Sequence, residues 1–168
     1  MELTWADRVP KMGGALLLDT SVYLDVLQNR TPQHVDNLLS SRARQHSAVC
    51  VSELTHVFGR LVPVHPSTKM VLQVVRDIIG DIPAHRLHAP DTSTWGEAGM
   101  IAGELVRRAG LPRGDGHEKK FLNDTLIGLQ AYYFGASLLT GNIRDFDYLS
   151  QIVPGLRVIF YRCVAAGP

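Results

Sequence analysis

Short, unbroken apolar runs separated by stretches of helical period constrain this chain more than any other feature. Ala15 to Leu18, Ala48 to Val51, Ala136 to Thr140 and Leu156 to Phe160 are too short for helices of their own and read as buried strands, with Arg86 to Ala89 a further short one. Between them, apolar residues recur every three or four positions. Val22, Tyr23, Val26 and Leu27 follow the capping residues Asp19, Thr20 and Ser21; Val35, Leu38 and Leu39 follow Thr31-Pro32; Leu54, Val57, Phe58 and Leu61 follow Ser52 and stop at Pro63. A strongly apolar helix, Met70 to Ile79, is opened by Pro66 and ended by Gly80; its broad apolar face makes it buried or partner-facing. A long helix runs from Asp91-Thr92 to Gly110 with Trp95, Ala98, Ile101, Ala102, Leu105 and Val106 inward. Phe121 to Phe134 and Asp145 to Ser150 are helical as well. Strands alternating with helices imply a three-layer α/β sandwich on a mostly parallel sheet.

The 168 residues, 45% of them hydrophobic, suffice for one substantial core and therefore one domain. Residues 1–12 show no period and read as an N-terminal extension to a domain over 13–168. Seventeen Lys and Arg against 16 Asp and Glu leave a net charge of +1, so a nucleic-acid partner has to be met by a local basic patch. The two cysteines, Cys50 and Cys163, lie far apart, and Cys50 sits in an apolar run where a buried free thiol is common; a reducing cytoplasm is expected. No apolar stretch approaches the roughly 18 residues that span a bilayer, so the expectation is a soluble, unsecreted protein without membrane contact.

Four acids stand at strand ends or helix starts: Asp19, Glu53, Asp124 and Asp145. Each has a structural explanation by itself, because carboxylates cap helices and favour the positive end of the helix dipole. Together they are harder to explain that way. In an open parallel sheet, side chains at the C-terminal strand edge converge, and four converging carboxylates repel one another unless a cation neutralises them. Oxygen-only ligands suit Mg²⁺ or Mn²⁺. The Gly- and Pro-rich segment Gly110 to Lys120 reads as a loop facing substrate. Other constellations are weaker. His117-Glu118 lacks the second His of a zinc-protease helix, Ser52 and His56 lack an orienting acid, and Gly114-Asp115-Gly116 is no phosphate-binding loop.

Leu17-Leu18-Asp19-Thr20-Ser21, Val51-Ser52-Glu53-Leu54, Asn123-Asp124-Thr125-Leu126-Ile127-Gly128 and Leu139-Thr140-Gly141-Asn142-Ile143-Arg144-Asp145-Phe146 resemble, in order, the acidic motifs of PIN-domain ribonucleases, with the VapC-type toxins of toxin–antitoxin pairs most similar. The likeness runs from about Ala15 to Phe160. It departs from the family pattern in placing the first acid as late as Asp19, so that residues 1–11 are extra or Met12 is the start. The resemblance implies a metal-dependent endoribonuclease whose Asp19, Glu53, Asp124 and Asp145 hold Mg²⁺ or Mn²⁺, supported by Ser21, Thr140 and Asn142. Asn142 and Asp145 both fall in the last motif, where the family's fourth ligand varies in position; Asp145 is preferred. Arg107, Arg108, Arg113, Lys119, Lys120 and Arg144 flank the relevant loops and are candidates for contact with RNA. A cognate antitoxin is the implied partner, and a homodimer through the Met70 to Ile79 helix or the one starting at Ser52 is a further expectation. The competing reading is a non-catalytic RNA- or protein-binding module in which the acids only cap helices.

Overall fold

The structure, a computed structural model, describes residues 2–62, 64–110 and 116–165, apart from the side chains of Val57, Phe58 and His117. Among the described residues there are five strands and seven α-helices: β1 (Leu16–Leu18), α1 (Thr20–Leu27), α2 (Gln33–Ser41), β2 (Arg44–Ser47), α3 (Ala48–Gly59), α4 (Thr68–Gly80), β3 (Leu87–His88), α5 (Thr92–Ala109), α6 (His117–Tyr133), β4 (Ser137–Thr140), α7 (Ile143–Ile152) and β5 (Val158–Phe160). All five strands are parallel, in the order β3-β2-β1-β4-β5, and the whole is a PIN-like α/β/α fold. In register, Leu17 of β1 stands between Gln45 and Leu138. Leu16, Leu17 and Leu18 are all buried because a central parallel strand is covered on both faces, which is why the run is continuously apolar instead of alternating. Helix α6 is the central helix: it packs on β1 and β4 and touches α3, α5 and α7, burying Leu126, Ile127 and Leu129.

Several expected boundaries move. Ala48 to Val51 is the first turn of α3, and the strand is the polar segment before it, Arg44–Ser47. A four-residue apolar run fits a buried strand and the inner face of a helix start equally well. The polar strand is tolerated inside the sheet because its buried groups are paired: Tyr23 Oη with His46 Nδ1 at 2.6 Å, and Ser47 Oγ donating to Gln130 Oε1 at 2.5 Å. Ser47 also accepts the Val49 N–H at 3.1 Å, so Ser47 caps α3 and Ser52 is an exposed mid-helix residue. Leu54 is buried as expected, whereas the inward placement of Val57 and Phe58 and the stop at Pro63 lie outside the described residues.

Helix α4 buries Thr68 and Val75 and packs Ile78 and Ile79 against the core, while Met70, Leu72 and Val74 are exposed, so its apolar residues are divided between core and solvent. Trp95, expected inward, is exposed and Thr94 is buried instead, whereas Ala98, Ala102 and Leu105 are buried and Ile101 and Val106 pack against the core as expected. Asp91 accepts from Thr94 N at 2.8 Å and Gly110 takes φ 60°, the two ends expected of that helix. Helix α6 begins at His117, so Lys119 and Lys120 lie in its first turn and not in a loop. The N-terminal residues run beside β5: Ala6 N donates to Phe160 O at 2.8 Å, Phe160 N donates to Thr4 O at 2.9 Å, and the Arg162 guanidinium lies 4.9 Å over the Trp5 ring. No helix among the described residues is long and apolar enough to cross a membrane.

Candidate functional site

The chain winds away from β1 in one direction to β2 and β3, and in the other to β4 and β5, so the sheet's topological switch point falls between β1 and β4. Backbones diverge there and leave a crevice at the C-terminal strand ends. Asp19 leaves β1 at this point and Thr140-Gly141-Asn142 leaves β4 beside it, held by Asp19 N donating to Leu139 O at 3.1 Å.

Asp19 is 3% exposed and is the N-cap of α1. Its Oδ2 accepts from Ser21 Oγ at 2.6 Å and Thr140 Oγ1 at 2.8 Å, and from Ser21 N at 3.3 Å. Ser21 Oγ in turn accepts the Gly141 N–H at 3.0 Å, which ties the ends of β1 and β4 together. All of these donors use Oδ2. Burial raises the Asp19 pKa despite the hydrogen bonds that oppose it, and the Glu53 charge adds to the rise.

Glu53 and Asp124 were expected at helix starts; neither is there. Glu53 lies in the second turn of α3 and Asp124 in the second turn of α6, too deep for capping to account for either. Glu53 Oε1 accepts from Asn123 Nδ2 at 2.8 Å, and its other oxygen accepts from Thr20 Oγ1. Thr20 and Asn123 were not singled out from the sequence. Both adjoin an acid in the quoted motifs, but spacing carries no sign that they turn toward a third. Asp124 is 5% exposed, and its carboxyl is pushed up to about 8, first by burial and then by the charges of Asp19 and Asp145, against the pull of Lys120. A cluster in which one acid still holds its proton near neutrality is short of positive charge.

Asp145, 7% exposed, stands in the first turn of α7. Asn142 spans the gap, its Nδ2 at 3.1 Å from Asp145 Oδ2 and 3.4 Å from Asp124 Oδ2. Lys120 Nζ lies 2.5 Å from the same Asp145 oxygen. Among the described residues, no group of three or more His, Cys, Asp or Glu side chains is arranged as it stands to hold a metal ion. The donor set nevertheless suits a hard divalent cation: four mutually repelling carboxylates, three of them buried, with no sulfur or imidazole among them.

Of the basic candidates, Arg107 and Arg108 lie in the last turn of α5 and pair with Glu104 at 4.0 and 2.5 Å. Lys119 and Arg144 are exposed in the first turns of α6 and α7, and Arg113 lies outside the described residues. Lys120 faces the carboxylates, and not open solvent alone.

No protein-family model and no curated protein matches the chain. Solved structures do. A chain of DNA-bound VapBC from Salmonella typhimurium superposes with a TM-score of 0.57 and 22% identity over 88% of this chain and 98% of that one. FitAcB from Neisseria gonorrhoeae gives 0.60 and 20%, over 86% and 96%. VapBC-5 from Mycobacterium tuberculosis, a member of the VapBC family of toxin–antitoxin systems, gives 0.56 and 18%, over 89% and 99%. At these identities the likeness is one of fold, and it extends over nearly the whole of each matched chain. The protein therefore has the PIN-like α/β/α fold that is shared by chains of VapBC toxin–antitoxin complexes.

Proposed function

We propose that the chain is a metal-dependent endoribonuclease, the toxin of a toxin–antitoxin pair. The observation that supports this most is the set of carboxylates at the switch point, with Asp19, Asp124 and Asp145 buried and Glu53 and Asp124 too deep in their helices for a capping role. Asp19, Glu53, Asp124 and Asp145 are the residues that would hold Mg²⁺ or Mn²⁺. Such an ion, when bound, polarises a scissile phosphate and lowers the pKa of a water molecule.

The chain's own residues supply the rest. Ser21 and Thr140 occupy Asp19 Oδ2 and aim the carboxylate, leaving Oδ1 without any of these donors. Thr20 and Asn123 donate to one oxygen each of Glu53 and fix its direction, and Asn142 donates to both Asp124 and Asp145. Lys119 and Arg144, exposed in the first turns of two helices that carry site acids, would meet RNA phosphates; Arg107, Arg108 and Arg113 are further candidates. The chains it resembles come from complexes with antitoxins, some DNA-bound, and an antitoxin is the proposed partner here. Met70, Leu72 and Val74, exposed on α4, are the apolar side chains proposed to meet that partner or a second copy.

The experiment is incubation of structured RNA with the purified protein in Mn²⁺, in Mg²⁺ and in chelator. Expected are cleavage only with metal, and a fall of about 100-fold or more in Asp19→Asn. Cleavage that persists in chelator or in Asp19→Asn overturns the reading. The alternative reading is a non-catalytic RNA- or protein-binding module. It predicts RNA binding that is indifferent to chelator, with no cleavage under any condition.

A further inference from the structure

The carboxylate cluster already contains a cation. Lys120 Nζ sits 2.5 Å from Asp145 Oδ2, and among the described residues this is the one ion pair that any of the four site acids makes. The Lys side chain is 56% exposed and the Asp side chain 9%, so the charge reaches inward from the rim to a buried partner. Asn142 Nδ2, 3.1 Å from Asp145 Oδ2 and 3.4 Å from Asp124 Oδ2, ties this pair to a second acid of the cluster. Asp145 Oδ2 thus carries two donors, Lys120 Nζ and Asn142 Nδ2.

A pair of this kind is more than a surface salt bridge. Removing one partner of a buried acid leaves an uncompensated charge among like charges. Lys120 lies one helical turn before Asp124 on α6, so its reach to Asp145 also links α6 to α7 at the mouth of the site. A divalent ion that binds Asp145 through Oδ2 has to compete with the Lys120 ammonium for that oxygen, and the two positive charges repel each other.

Resting on the nuclease reading above, we propose that Lys120 is the resident cation of the site: it neutralises the cluster in the metal-free protein, and a divalent ion enters by exchange with it at Asp145. Lys120 therefore sets how tightly metal is held, and its side chain, once released, stands at the rim where phosphate would approach. The role is one of positioning and competition.

The test compares the wild type with Lys120→Met, which keeps the stem and removes the charge, and Lys120→Arg, which keeps the charge. Calorimetric titration of chelator-stripped protein with Mn²⁺ reads affinity, and thermal melts with and without Mn²⁺ read stability. The expected result is a metal-free Lys120→Met protein that melts lower than the wild type, binds Mn²⁺ at least about fivefold more tightly and is stabilised more by it, while Lys120→Arg follows the wild type. Equal or weaker Mn²⁺ binding by Lys120→Met, with the wild type binding normally, overturns the exchange and leaves the nuclease reading standing. Absence of Mn²⁺ binding in wild type and variant alike overturns both.

Discussion

At the scale of single residues, the interior holds polar groups only where they are paired. His46 and Tyr23 show this away from the site. The imidazole is buried in β2 against Tyr23 Oη, and burial first, then the nearby Arg44, Arg86 and His88, pushes it down to about 4. Its folded pKa lies below the unfolded value, so the folded state binds fewer protons than the unfolded one between them. The associated stability is present above about pH 6.5 and is lost as pH falls through about 4. Denaturant midpoints from about pH 7 to about pH 4 are expected to show this site contributing on the order of 2–3 kcal/mol of acid sensitivity. His46→Gln flattens that part of the slope; a variant with the wild-type slope shows that the imidazole is not the group responsible. Asp25 illustrates the same rule for a carboxylate: it is buried because Tyr161 Oη donates to it at 2.8 Å and Arg30 reaches it at 3.1 Å.

At the scale of elements, the site depends on how closely α6 and α7 approach, because they carry Asp124 and Asp145. Gly128 lets them meet: a Cβ there would lie 2.5 Å from Leu149 Cδ2. Gly128→Ala is therefore expected to push α7 outward, lowering stability by about 1–3 kcal/mol in chemical denaturation and weakening Mn²⁺ binding through Asp145. Unchanged stability would mean that Leu149 turns aside without cost. Elements are also where sequence reading was least secure. Helix ends carried by a named capping group, Asp19 for α1 and Asp91 with Gly110 for α5, were legible because a cap acts over three or four neighbouring residues. The boundary between β2 and α3 was not, because Ala48 to Val51 satisfies both the strand and the helix pattern, and what makes Arg44–Ser47 the strand is its pairing with β1 and β3. That error placed Glu53 at a helix start. Its true depth in α3 strengthens the functional reading of the acid.

At the scale of the whole molecule, the N-terminal residues close the β5 edge of the sheet, where Thr4 and Ala6 pair with Phe160 and Ala6 is buried. An unpaired edge strand invites association with other chains. A truncated protein beginning at Met12 is expected to melt lower and to aggregate in size-exclusion chromatography; a monomeric truncated protein with the full melting temperature would show that the segment only rests on the fold. Sequence alone determined the alternation of buried strands with amphipathic helices, the parallel α/β class, and the acids as the residues to watch, because burial period and capping are set between near neighbours. Only the tertiary structure decided that β4 lies beside β1, bringing Thr140 to Asp19 across 121 residues, and that Lys120, marked for RNA, turns onto Asp145. Those pairings are settled by strand order and helix packing, which no local pattern of residues encodes.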